Sequence, residues 1–216
     1  ATAAFRDFAD VAEAGVNGPL SFAPLGQSSR MTSLVISEIM YHPANPALEF
    51  VEIFNTRGEA QDLSGYKLRG SAGYNFPENT VIPGGGFVVV AKSPMELETA
   101  YGLSGVLGPF TNSLPNDSGT VKLVSRGGGI FLRVDYADQA PWPLAADVGH
   151  SLVLTHASLG ENNPQAWAAS YAIGGSPGQV NAVTPSPLRH LVSNEFLAHT
   201  HDPELDYSQL YNHNTP

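Results

Sequence analysis

The sequence contains no cysteine, so a disulfide framework, a cysteine-ligated zinc and a thiol nucleophile are all excluded. Cations are also scarce. Ten Lys and Arg stand against 20 Asp and Glu, and the formal charge of −10 repels a phosphate backbone, which argues against nucleic acid as a partner. No apolar run approaches the ~18 residues of a membrane-spanning helix. The longest, Phe87 to Ala91, has the length of a strand, so no membrane insertion is expected. The opening Ala1-Thr2-Ala3-Ala4 has neither an initiator Met nor a signal peptide, the pattern expected of an excised or processed piece of a longer chain.

Apolar residues make up 42% and charged ones only 14%, enough to build a core and too few charges for a disordered chain. Twenty-two Gly and 17 Pro punctuate the sequence heavily, which favours short elements joined by turns. Seven β-branched or aromatic-rich runs are bounded by Gly, Pro, Asn or Asp: Leu34 to Tyr41, Glu49 to Asn55, Leu63 to Arg69, Phe87 to Lys92, Thr120 to Ser125, Ile130 to Tyr136 and Ser151 to Thr155. They predict an all-β sandwich. Gly127-Gly128-Gly129 joins two of the runs and predicts a hairpin. One helix interrupts the strands: Ser93, Pro94 and Glu96 supply start signals and Gly102 a stop, so residues 94 to 101 are expected to be helical. Upstream, Phe5, Phe8, Val11 and Ala12 share one face of a second helical candidate, followed by a Gly/Pro linker.

The chain partly repeats itself. At a constant offset of 157, Val35, Glu38, His42, Pro46, Leu48 and Asn55 recur as Val192, Glu195, His199, Pro203, Leu205 and Asn212 without a gap. Phe50 aligns with Tyr207, Ile53 with Leu210 and Phe54 with Tyr211. This predicts one whole repeat followed by the first hairpin of a second. The expected organisation is an N-terminal extension or the tail of a preceding module over 1–32, a sandwich over 33–182, and a linker with a partial repeat over 183–216. An isolated hairpin is marginal in water, so Val192, Glu195, Phe196, Tyr207, Leu210 and Tyr211 are expected to pair with a strand edge of this domain or of a neighbouring copy.

The succession Val35-Ile36-Ser37-Glu38-Ile39-Met40-Tyr41-His42-Pro43, then Glu49 to Asn55, then Asp62-Leu63-Ser64-Gly65-Tyr66-Lys67-Leu68 resembles the lamin tail domain family in its bacterial form. Phe76-Pro77, Val81 to Gly86, Leu107 to Phe110, Ala140 to Pro143 and Gly174 to Asn181 follow in the family's order. The resemblance implies an immunoglobulin-like β-sandwich, without enzymatic activity, in an exported or cell-surface bacterial multidomain protein. It brings no catalytic residues with it.

Five groups invite chemical readings. Gly174-Gly175-Ser176-Pro177-Gly178 matches the nucleophile-elbow pattern, but Pro177 has no N–H to offer an oxyanion, so a turn is expected. His199, His201, Asp202 and Asp206 are close enough in sequence to chelate an ion, and Asp135, Asp138 and Asp147 are further candidate oxygen ligands, but a solvated turn and turn capping are expected first for the two groups. No cofactor is required, and Ca2+ is the ion such ligands would take. Trp142 and Trp167 are candidate platforms for a surface glycan, but packing in the core or at its rim is expected first. Glu38 and Glu52 fall on apolar parities, Glu38 with Leu34, Ile36 and Met40, and Glu52 with Phe50 and Phe54. Burial of either acid requires partners, so they close strand ends or form a small acidic ligand site. The change of Glu52 to Gln209 in the repeat favours hydrogen bonding over charge. A non-catalytic structural or interaction module is the function expected first, an adhesion module binding glycan or Ca2+ second and a metal-dependent hydrolase last.

Overall fold

The computed structural model describes residues 32–145, 149–180, 191–197 and 207–212. The chain divides into two compact units, Ala1–Ala182 and Val183–Pro216. The helical candidate at residues 5 to 12 and its linker lie outside the described residues.

In chain order the strands of the first unit are β1 (Leu34–Met40), β2 (Phe50–Asn55), β3 (Gln61–Asp62), β4 (Lys67–Gly70), β5 (Tyr74–Asn75), β6 (Val81–Ile82), β7 (Phe87–Ala91), β8 (Ser118–Val124), β9 (Ile130–Ala137), β10 (Leu152–Leu154) and β11 (Trp167–Ala169). Among the described residues one α-helix, α1 (Pro94–Tyr101), follows β7. The strands form a five-stranded sheet in the order β11-β10-β1-β2-β7, a four-stranded sheet in the order β5-β4-β8-β9 and the small pair β3-β6. Every strand pairing is antiparallel. Ile36, Ile39, Val51 and Ile53 from the larger sheet share one buried cluster with Leu68, Val121, Leu123, Leu132 and Val134 from the smaller. Each such side chain contributes roughly 1.5–3 kcal/mol of transfer free energy. The architecture is the immunoglobulin-like sandwich that the sequence predicts.

The expected hairpin joins β8 to β9: Gly128 takes φ +87° and its N–H donates to Ser125 O at 2.9 Å. Helix α1 also lies where the sequence places it, with Gly102 closing it at φ +66°. Its start differs in detail. The Ser93 hydroxyl donates to the Glu96 carboxylate at 3.3 Å and makes no cap to the backbone. Strand β4 begins at Lys67, four residues after the predicted Leu63, because a turn occupies the interval. Asp62 accepts the Ser64 N–H at 2.8 Å, Tyr66 N–H closes onto Leu63 O at 2.9 Å, and Gly65 takes φ +72°.

All seven residues of β1 are buried, which one sandwich core cannot explain because alternate side chains face away from it. Helix α1 supplies the second cover. Its Leu97 packs with Met40, Phe50, Val89 and Ala91 in a separate apolar cluster on the outer face of the five-stranded sheet.

The long edge strands of both sheets are partly capped. Along β9, the Asp135 N–H donates to Asn162 Oδ1 at 2.6 Å and the Arg133 N–H to Glu161 Oε1 at 3.5 Å. Along β7, Ala91 N–H donates to Leu107 O and Leu107 N–H to Val89 O, at 2.8 and 2.9 Å. Backbone groups that would template another strand are thereby engaged.

The second unit contains β12 (Leu191–Leu197) and β13 (Tyr207–Asn212), an antiparallel pair.

Candidate functional site

The most polar part of the interior lies where β1 faces β2. Strict alternation along β1 would put Glu38 on the face of Ile36, but the register shifts between them: Ile36 pairs with Ile53, Glu38 with Glu52, and Ser37 is left over. This bulge corrects the parity read from the sequence. Ile36 and Leu34 face the sandwich core, whereas Glu38 turns to the outer face with Met40, opposite Glu52 and Phe50. The signal in the sequence was the adjacent polar pair Ser37-Glu38 inside an otherwise apolar strand.

Both carboxyls are completely buried. Burying ionised acids costs several kcal/mol each unless hydrogen bonds replace water. Four donors converge on them. The Ser37 hydroxyl donates to Glu52 Oε1 at 2.6 Å and the Gly178 N–H to Glu52 Oε2 at 2.6 Å. The Ser151 hydroxyl and the Ser176 N–H donate to Glu38 Oε1 at 2.5 and 2.9 Å. Burial first, and then the neighbouring Glu38, push the Glu52 carboxyl up to about 8, against the pull of Ser37 and Gly178.

Two of the donors belong to Gly174-Gly175-Ser176-Pro177-Gly178, which is a turn as expected: Gly174, Gly175 and Gly178 take φ of +89°, +82° and +75°. Its role as the partner of the two acids was not foreseen. Tyr101, at the end of α1, donates its hydroxyl to Gly174 O at 2.7 Å, so the helix and the turn are tied together over the same face. Desolvation raises the Tyr101 hydroxyl above its ordinary value, and the Glu38 charge adds to this.

Glu49 and Asn55, flanking Glu52 at intervals of three, are fasteners of the same kind. Glu49 pairs with Lys92 Nζ at 2.9 Å and accepts the Leu114 N–H at 2.8 Å. Asn55 Nδ2 donates to the carbonyls of Glu59, Pro83 and Ile82 at 2.7, 3.0 and 3.3 Å, and Asn55 Oδ1 accepts the Arg57 N–H at 3.1 Å. Asn55→Ala strips a buried set of partners at once. The expected loss is about 2–3 kcal/mol, read as a lowered urea midpoint at unchanged slope.

Residues 27–138, just over half of the chain, match the family model described as Lamin Tail Domain. The chain belongs to the lamin tail domain family. No curated protein matches it. The family is an immunoglobulin-like structural one, not known as enzymatic.

Other candidate residues of this lamin tail domain fall in different places. Trp142 and Trp167 are 8% and 4% exposed, with ring centroids 6.2 Å apart. Trp167 Nε1 donates to Glu161 O at 2.8 Å. Both indoles lie in the core cluster, as the packing reading expects, and not on the surface as a glycan platform. The same burial corrects Glu38 and Glu52 as ligand contacts, since neither side chain reaches solvent. Asp135 is engaged by Arg133 Nε at 2.8 Å, the Thr120 hydroxyl at 2.7 Å and Asn162 Nδ2 at 3.1 Å. Among the described residues no three His, Asp or Glu side chains gather as a metal site. His199, His201, Asp202 and Asp206 lie outside the described residues, as does Asp147.

Val192, Glu195, Phe196, Tyr207, Leu210 and Tyr211 all lie on β12 and β13. The pairs Leu191 with Asn212, Val192 with Tyr211, Ser193 with Leu210, Glu195 with Gln209, Phe196 with Ser208 and Leu197 with Tyr207 are those of β1 and β2 shifted by 157. The register shift recurs between Ser193 and Glu195.

Proposed function

We propose that this lamin tail domain is an interaction module of a bacterial exported or cell-surface protein built from tandem copies, and that residues 183–216 hold the opening hairpin of a second copy. The observation that carries this reading is the shared register: two hairpins in one chain agree pair by pair and place a one-residue bulge at equivalent positions. Composition alone does not reproduce a bulge, because its position depends on which residue is left unpaired. The Gly- and Pro-rich turns and the sparse charge suit an exported setting.

In the first copy the β1 edge pairs with β10 and the β2 edge with β7. By the same topology β12 fits a β10-like strand and β13 a β7-like strand, so the partner is another lamin tail repeat, in the same chain or in a neighbour, joined by strand addition. The capping of β7 and β9 leaves the hairpin as the better donor. No cofactor takes part.

Sedimentation equilibrium on the full chain tests this. Association that rises with concentration is expected, and Leu210→Pro, which breaks the β13 ladder, is expected to abolish it while the far-UV spectrum of the sandwich persists. A full chain that stays monomeric at every concentration, or a Leu210→Pro variant that associates as well as the parent, overturns strand addition to a neighbouring chain.

A further inference from the structure

The turn 174–178 is bound to its surroundings by polar contacts. It is glycine-rich, three of its five residues take positive φ, and it lies over the outer face of the five-stranded sheet. What fixes it is polar: Ser176 and Gly178 donate their N–H groups to the two buried acids, and Gly175 has no side chain because a Cβ there would meet Glu38 Oε1 and Ser151 Oγ. Two acids placed directly opposite each other on adjacent strands, fully buried, repel if both are charged. Held with a single proton between them, they are one anion with good acceptors for all four donors.

We propose that Glu38 and Glu52 form a one-proton latch that holds the glycine strap 174–178 on the sheet, and that loss of the proton releases the strap. The proton belongs to the pair rather than to either residue. Its departure to solvent leaves two like charges face to face, and the remedy open to the fold is admission of water where the strap now lies. The strap is the part that can yield: β1 and β2 are held on both edges by β10 and β7, whereas the strap is in no sheet and is tied down by single bonds, among them those to the acids, that of the Tyr101 hydroxyl to Gly174 O and that of the Gly174 N–H to Gly149 O.

Of the titratable groups on the surrounding elements, Tyr101 on α1 bonds the strap, His150 Nδ1 meets Ser170 O at 2.7 Å ahead of β10, and Glu96 and Glu98 of α1 accept from the Ser93 hydroxyl and the Val106 N–H. Tyr101 is raised above its ordinary value by burial and keeps its proton through the range in which the pair loses its own. Gln209 stands in the register position of Glu52 and is the neutral side chain of the same shape. That parallel rests on the tandem reading. The latch itself does not, and neither does its test.

Hydrogen exchange on the full chain, normalised for intrinsic rates, reads the strap directly through the amides of Ser176 and Gly178. Their protection factors are expected to fall by at least about tenfold between pH 5.5 and pH 8, since each pH unit over which only the closed strap keeps the proton costs about a factor of ten, and to level off above the transition. Those of Val51 and Ile53 are expected to hold. Glu52→Gln keeps the shape without a proton to lose, so its strap amides are expected to stay protected across the range. Carbon-13 shifts of the two carboxyl groups in the unsubstituted protein give a second measurement that needs no variant: one ionisation, shared by both signals, is expected above pH 7. Level protection at Ser176 and Gly178 in the parent, an equal fall in Glu52→Gln, or two fully ionised carboxyls at pH 7 would each overturn the latch, and would leave the association test untouched.

Discussion

Gly175→Ala is expected to destabilise the protein by about 4 kcal/mol, near the upper end for a single methyl group. Two causes add. Gly175 sits at φ +82°, where an L side chain costs roughly 1–2 kcal/mol. The new Cβ would also lie 2.1 Å from Glu38 Oε1 and 2.7 Å from Ser151 Oγ, distances that real Cβ atoms do not show. The clash cannot be relieved cheaply, because Glu38 is fully buried and its displacement forfeits the bonds from Ser151 and Ser176. Gly128→Ala is the control. It has a similar φ of +87° but nothing within 4 Å of the added carbon, so only the conformational cost of about 1 kcal/mol remains. Denaturant midpoints compare the two, and equal losses would show that the contact with the acids carries no weight.

Stability is expected to decline as pH rises from about 4.5 to about 8, and to do so because of Glu52. Below 4.5 its carboxyl is neutral whether the chain is folded or not, and the stabilisation is complete. Between 4.5 and about 8 the folded protein retains a proton that the unfolded chain gives up, so stability falls with pH; above about 8 both states are ionised and the slope vanishes. A difference of this size corresponds to something on the order of 5 kcal/mol across the window. Asp62 lies outside it: the Ser64 hydroxyl and amide hold its carboxyl below the ordinary value, so its contribution is lost only as pH falls below 3.8. Urea midpoints at pH 5, 7 and 9 check the slope. Glu52→Gln should match the parent at pH 5 and exceed it at pH 9, and parallel curves would refute the assignment.

The two predictions converge on a feature that alternation hides. The fold class, the β8–β9 hairpin, the extent of α1 and most strands were legible because each is written locally, in β-branched runs and glycine turns. The bulge at Ser37 is not, since a strand with one extra residue has the composition of a strand without it. Reading Glu38 onto the face of Ile36 followed from that. Leu63 reads as a strand residue for a related reason: its apolar side chain is buried, but in a turn held by Asp62. Trp142 and Trp167 are a case of class without location, because an indole beside proline and amides reads alike on a rim and in a core. For Gly174 to Gly178, sequence gives the conformation and not the destination. The acids that receive this turn lie about 130 residues earlier in the chain, and only the folded sheet brings them together.

The side chains of Asn162 and Glu161 have a consequence beyond the stability of β9. An eight-residue border strand with bare amides would be a site where ribbons of this protein could grow without limit. With those amides spoken for, concentrated solutions should resist fibrillisation. Asn162→Ala should open a path to it, at little cost to the fold itself.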